Sequence, residues 1–305
     1  MGQSKRIVSA TDLSAVARHA AERAAMISQV TAAPLELLHI VDLAPLARLR
    51  QFMEGTPAQI EAGILEAAGQ RLDELAGALR QRHGVVARTH VATGALPAEL
   101  AKQAAALAAG LLVCGARGEG LLRYFVLGTT ASRLLDTTTC PVLVVKQLPH
   151  DRYRRVLVPV DFSPSSLGAI HDARRFAPGA GIVLLHAFDV PFEGYMRYAG
   201  VTQDAIDHYR MVADKDAAER LHALRDEAGL APGDAQLLVL HGNPIVAIIE
   251  QEQECDCDLI VMGKHGQGLF EKLLLGSVTK HVLAGSQGDV LVSVPPQAAA
   301  ATGQA

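Results

Sequence analysis

The chain has 305 residues, 50% of them apolar, and carries a net charge of −4 with no Trp, which is enough for two ordinary domains with a core each. Residues 1–147 hold 15 of the 28 Lys and Arg but 12 of the 32 Asp and Glu, so this half is +3 and the remainder −7. With aromatics at 4% and no Lys/Arg-rich block, neither half reads as a nucleic-acid binder; no apolar run reaches the roughly 18 residues of a membrane span, and residues 1–6 lead into a strand, not an apolar signal core, so a soluble cytoplasmic protein is expected.

In chain order, strands are predicted near 6–11, 35–41, 85–91, 111–115 and 141–146, with helical spacing near 14–31, 57–83, 97–109 and 129–138 between them. Thr56 ahead of Pro57 marks a helix start, and His83-Gly84 its end. Continuous apolar strands such as Val142-Leu143-Val144-Val145 read as buried on both faces, hence parallel. The order then returns. Arg6-Ile7-Val8-Ser9-Ala10-Thr11-Asp12-Leu13-Ser14 aligns with Arg155-Val156-Leu157-Val158-Pro159-Val160-Asp161-Phe162-Ser163 at an offset of 149. Leu37-Leu38-His39 aligns with Leu184-Leu185-His186 at 147, and Gly94 with Gly242 at 148. Thr202 and Ala228-Gly229 bound the second long helix as Thr56 and Gly84 bound the first. A whole domain is duplicated: residues 1–147 and 155–297, joined by a linker at 148–154 and followed by a tail at 298–305 expected to be disordered.

Five strands with helical crossovers give a doubly wound α/β sheet in each domain, with the ligand crevice at the carboxyl ends of strands one and four, where the winding reverses. Strand one ends in Asp12 or Asp161. After strand four comes a sparse pattern, Gly-x2-Gly-x9-Gly-[Ser/Thr], as Gly115, Gly118, Gly128, Thr129 and again as Gly263, Gly266, Gly276, Ser277. Glycine lets backbone N–H groups approach a ligand with no Cβ in the way, and the last pair would open a helix whose free amides and dipole favour phosphate. The hydroxyl of Thr129 or Ser277 either caps that helix or bonds the anion.

Each candidate has a plainer reading. The glycines can serve turn geometry alone, and Asp12 and Asp161 can simply cap the helix that follows; ligand contact is favoured for both sets. Arg117 and His265 sit inside the glycine loops, beside the phosphates or merely in solvent. His39 and His186 read as partly buried structural histidines, since no second ligand stands at metal spacing. Cys114 and Cys140 read as core, and Cys255-x-Cys257 lacks the spacing of a zinc or redox pair. There is no Gly-x4-Gly-Lys-[Ser/Thr] loop and no Gly-x-Ser-x-Gly elbow.

The strand-one endings Ala10-Thr11-Asp12-Leu13-Ser14 and Pro159-Val160-Asp161-Phe162-Ser163, the Leu-Leu-His of strand two and Leu259-Ile260-Val261-Met262-Gly263-Lys264-His265-Gly266 resemble the universal stress protein family in its tandem, ATP-binding form. The resemblance covers about residues 4–147 and 153–295. It implies two parallel sheets of order 3-2-1-4-5, the adenine nucleotide alpha hydrolase-like arrangement, with one ATP, with or without Mg2+, per domain. Carried over, the contacts are Thr11, Asp12, Ile40, Cys114, Gly115, Gly118, Gly128, Thr129 and Thr130 in domain one, and Pro159, Val160, Asp161, Ala187, Met262, Gly263, Gly266, Gly276, Ser277 and Val278 in domain two. Two departures stand out: Ala10 where the family usually has Pro, and Asp289 where the first domain keeps Pro141. The resemblance also implies dimer-like pairing of last strands, within the chain or in a homodimer. The function expected is a stress-response regulatory module that binds ATP and signals through protein partners; a slow ATP hydrolase and an interaction module without turnover are the alternatives, and no residue is assigned to catalysis or to a metal.

Overall fold

The computed structural model describes residues 5–44, 56–116, 129–188, 198–199, 201–264 and 275–294. The first repeat runs β1 (Arg6–Ala10), α1 (Ala15–Thr31), β2 (Leu35–Val41), α2 (Pro57–His83), β3 (Ala87–Thr93), α3 (Leu96–Ala106), β4 (Ala109–Gly115), α4 (Thr129–Thr137) and β5 (Val142–Val145). The second runs β6 (Arg155–Pro159), α5 (Pro164–Phe176), β7 (Gly181–Phe188), α6 (Gln203–Glu227), β8 (Ala235–His241), α7 (Pro244–Glu254), β9 (Leu259–Gly263), α8 (Ser277–Gly285) and β10 (Asp289–Ser293). Strand order is β3-β2-β1-β4-β5 in the first repeat and β8-β7-β6-β9-β10 in the second, the expected 3-2-1-4-5 in both. The ladders β1–β2, β1–β4, β6–β7 and β6–β9 are parallel, so strand one lies between strands two and four and the winding reverses there.

The core follows from the apolar strands. Ile7, Leu35, Leu37, Leu111, Leu112 and Leu143 are fully buried on the first sheet, and Leu157, Leu184, Ile260 and Val290 on the second. Helix α1 presents Ala20, Ala21, Ala24 and Ala25 to that core, all fully buried, and side chains this small let the helix axis come close to the sheet. Helices α1 and α2 pack on each other, as do α3 and α4. Helix α2 begins in a capping box, with Thr56 Oγ1 accepting from Gln59 N–H and Pro57 in the first turn, and stops at Gly84 in the left-handed conformation, φ 67°.

The largest differences from the sequence reading fall around β3 and the α3–β4 junction, where β4 starts at Ala109 and not near 111. Strand β3 starts at Ala87, not near 85, because Gly84 ends α2 in a left-handed turn and Val86 is exposed, outside the sheet. Helix α3 stops at Ala106 because Ala108 takes φ 51° and turns the chain into β4.

The chain divides into two compact units: residues 1–152 with Gln287–Leu291, and residues 153–286 with 292–305. Within the first unit the buried Asp289 carboxylate accepts from Lys146 N–H at 2.8 Å and Gln147 N–H at 3.3 Å, and lies 3.3 Å from Arg23 Nε. Where the first repeat has Pro141, the second has a strand residue whose buried carboxylate makes these contacts. The predicted tail, 298–305, lies outside the described residues.

Candidate functional site

The crevice of the second repeat is built from the carboxyl ends of β6 and β9. Their register pairs Val156 with Leu259 and Leu157 with Ile260, which carries Pro159 level with Met262 and Val160 level with Gly263. On the first wall the chain turns through Asp161-Phe162-Ser163. Ser163 N–H donates to Asp161 Oδ1 at 3.0 Å, and the Ser166 hydroxyl donates to the same oxygen at 2.9 Å while accepting from Asp161 N–H at 3.1 Å. Phe162 sits at φ 61°. A left-handed conformation costs a bulky residue of order 1–3 kcal/mol and persists only where its surroundings over-determine it. Here they do: the Phe162 ring lies 4.3 Å from the His186 ring and under the Arg220 guanidinium, 4.1 Å from its centroid. His186 Nδ1 is 2.8 Å from Val160 O; a carbonyl only accepts, so Nδ1 carries the proton. Burial, helped by Arg220, holds the His186 pKa below 6.5 against the opposing Val160 bond and Asp161 charge.

The second wall is the start of α8. Gly276 is its N-cap and Ser277 its first residue. Gly276 N–H donates to Lys264 O at 3.1 Å and the Thr279 hydroxyl to Gly263 O at 3.2 Å, pinning the helix start against the end of β9. Ser277 is exposed and does not cap the helix.

Between these walls lies a cavity of about 230 Å³. Pro159, Val160, Asp161, Ala187, Met262, Gly263, Gly276, Ser277 and Val278, each named from sequence, all line it; Gly266 and His265 lie outside the described residues. Sequence reasoning missed Ser163, Ser165, Ser166, Leu185, Pro244, Ile248 and Thr279. Signals existed for some of them. Ser163-Pro164-Ser165-Ser166 is a helix start directly after strand one, and Asn243-Pro244 is another at the same sheet edge, with Asn243 Oδ1 accepting from Ile245 and Val246 N–H. The Ser163 hydroxyl is buried and, among the described residues, has no hydrogen-bond partner.

The first repeat uses the same scaffold. Ser9 pairs with Val113, which brings Thr11 level with Gly115. Ser14 N–H donates to Asp12 Oδ1 at 3.0 Å, Leu13 N–H to Thr11 Oγ1 at 3.0 Å, and His39 Nδ1 to Thr11 O at 2.8 Å. Leu13 takes φ 63°, matching Phe162. Here the helix cap is used: Ala17 N–H donates to Ser14 Oγ at 3.2 Å. In both repeats the N-cap is thus the serine, while the aspartate shapes the turn ahead of it. Ile40 and Cys114 are buried on β2 and β4, and burial pushes the Cys114 thiol up to about 12, so it stays protonated at neutral pH. Cys140, expected in the core, is only half-buried. Thr129 and Thr130 open α4; Arg117, Gly118 and Gly128 lie outside the described residues. Among the described residues no group of three or more His, Cys, Asp or Glu is placed to hold a metal ion, and no helix is long and apolar enough to cross a membrane.

A model of the universal stress protein family matches residues 3–146 and again residues 152–295. A universal stress protein of Mycolicibacterium smegmatis is 28% identical over 298 residues, 95% of this chain and 97% of that protein. One of Mycobacterium tuberculosis is 28% identical over 197 residues, 61% of this chain and 62% of that protein. The solved structure of a universal stress protein from Archaeoglobus fulgidus superposes with a TM-score of 0.69 at 20% identity, covering 96% of this chain and all (100%) of that one.

Proposed function

Because this chain belongs to the universal stress protein family, as two tandem copies of its domain, we propose that it binds adenine nucleotide, ATP first, in one crevice per repeat and acts as a regulatory module in a stress response. The observation that carries the reading is Gly276. Its N-cap φ is −56°, open to any residue. Among the described residues, a Cβ there would meet Lys264 O at 3.6 Å and Thr279 Oγ1 at 3.7 Å, ordinary contact distances. The fold itself therefore does not require glycine at this position. A ligand approaching the backbone at the start of α8 does.

Charge sets the orientation. Asp161 would repel phosphate, so the phosphates belong at the opposite wall, on the first-turn amides of α8 and the Ser277 hydroxyl, where the helix dipole favours anions. The Asp161 carboxylate suits sugar hydroxyls, which donate to it, and Val160, Leu185, Ala187, Ile248 and Met262 offer an apolar bed for a base. Magnesium would then arrive on the phosphates, which bind it with the help of few protein groups. Among the described lining residues the titratable side chain is Asp161, already committed to its turn by Ser163 and Ser166, which favours binding over hydrolysis, a reaction that needs charge clamps on the transferring phosphoryl group.

The test is to denature the purified protein, analyse what it releases by chromatography and mass spectrometry, and titrate the ligand-free protein with ATP by calorimetry. Released adenine nucleotide, or saturable ATP binding at up to two sites, is expected. Absence of both overturns the reading, and steady-state phosphate release that disappears in Gly276→Val would move the protein to the hydrolases.

A further inference from the structure

We infer that the first repeat carries a second ligand site, separate from its nucleotide crevice: a cleft between α1 and α2 that takes a small aromatic carboxylate. The cleft has a volume of about 220 Å³. Leu13, Leu75 and Leu79 give it apolar lining, and Arg18 and Arg71 give it positive charge.

The second repeat shows what fits there. The offset of 149 places Leu13 on Phe162 and Arg71 on Arg220. The same offset puts buried Ala68 on buried Ala217, and buried Leu72 on buried Leu221, so the helices are in register. In the second repeat the Phe162 ring lies beneath the Arg220 guanidinium, 4.1 Å from centroid to carbon, and against His186. In the first repeat Leu13 has the same backbone conformation, φ 63° against 61°, but brings no ring. The space between helices stays open, and among the described residues Arg71 covers no aromatic face. A ring supplied by a ligand completes the arrangement that the other repeat completes with its own side chain, by stacking and cation–π attraction.

The charges select the second half of the ligand. Glu22 is held by Arg82 in an ion pair, which leaves Arg18, Arg71 and Glu74 as the remaining charged groups of the cleft. Neither Arg18 nor Arg71 forms an ion pair through its side chain among the described residues. Two guanidiniums against one carboxylate favour an anion, and a carboxylate matches the planar guanidinium fork.

The full chain is titrated with 4-fluorobenzoate as probe, followed by fluorine NMR, with and without saturating ATP. Saturable binding in the millimolar range is expected, as for a ligand of this size, unchanged by ATP because the sites are separate. Leu13→Phe fills the cleft and should weaken the probe by at least about tenfold, as should Arg71→Ala, a charge-assisted contact being worth that much. Glu74→Gln should tighten it. An unchanged melting temperature for Leu13→Phe, or a higher one, shows that the variant folds. Undiminished probe binding in Leu13→Phe, weaker binding in Glu74→Gln, competition by ATP, or no saturation by about 10 mM would each overturn the site. Failure of ATP binding alone leaves these outcomes readable, since the probe needs no nucleotide.

Discussion

His186 shows how one side chain serves the site without touching a ligand. Its Nδ1–H fixes the Val160 carbonyl, and its ring supports Phe162 in the strained turn that aims Asp161. Burial holds its pKa below 6.5, so in the folded protein the ring stays neutral where an unfolded one begins to charge. The sign follows: as pH falls through about 6.5 the unfolded chain takes up the proton first, so stability is full above that value and declines below it until the folded ring titrates. His83, shifted the same way chiefly by burial, adds to the effect. Denaturant unfolding at about pH 7.5 and pH 5.5 should show this loss, and His186→Asn should remove part of it; an identical pH slope in the variant would refute the assignment. Gly276 makes the complementary case. Gly276→Ala should cost no more than about 1 kcal/mol of stability, the loss of a good N-cap residue, because its Cβ has room, yet weaken nucleotide binding at the second crevice by an order of magnitude or more, the cost of about one lost charge-assisted contact; thermal unfolding reads the first and calorimetric titration with ATP the second. The aspartates and glycines were legible in the sequence because they recur at fixed spacing in two copies. Ser165, Ser166 and Thr279 were not, since single hydroxyls at a helix start look the same whether they cap, pack or face a ligand.

At the level of elements, strand and helix order was legible because continuous apolar strands alternate cleanly with period-3.6 helical patterns, and errors fell beside left-handed turns, at Gly84 and at Ala108. Caps carried the clearest local information. Thr56→Ala should cost about 1 kcal/mol by removing one half of the α2 capping box, and Gly84→Ala about the same by forcing a Cβ into a left-handed conformation. Both changes lie at the ends of α2, which bears one wall of the α1–α2 cleft, and both should raise amide exchange in that helix while leaving the second repeat's exchange unaltered. Equal loss of protection in α6 would mean that the two long helices are not independent elements. The cleft itself was hidden from either repeat read alone. It emerges only from setting Leu13 beside Phe162 and Arg71 beside Arg220, where one substitution of side-chain volume opens a space its neighbours still enclose.

For the whole molecule, duplication predicts two equal halves, but the compact units do not follow the repeat boundary. Gln287–Leu291 belongs to the first unit although it follows α8 and opens β10, the last strand of the second repeat. The reason is chemical. Asp289 is buried, and a buried carboxylate persists only when its charge is paired and its oxygens are satisfied; Arg23 and the Lys146 and Gln147 amides do this, and Arg23 in turn donates to Asp151 O at 2.7 Å. Sequence reading registered the loss of proline at this position but had no means to name Arg23, 266 residues earlier, as the partner. Removing one member of a buried pair costs about 3–5 kcal/mol, because the other charge stays buried alone. Asp289→Ala should therefore destabilise the first unit, most visibly as faster hydrogen exchange in α1 around Arg23, even though the changed residue lies near the end of the chain. Arg23→Met with Asp289→Leu, which removes both charges and keeps the volume, should recover much of that loss. If Asp289→Ala speeds exchange only in β9 and α8, the carboxylate serves its own repeat and the first unit ends at Arg152.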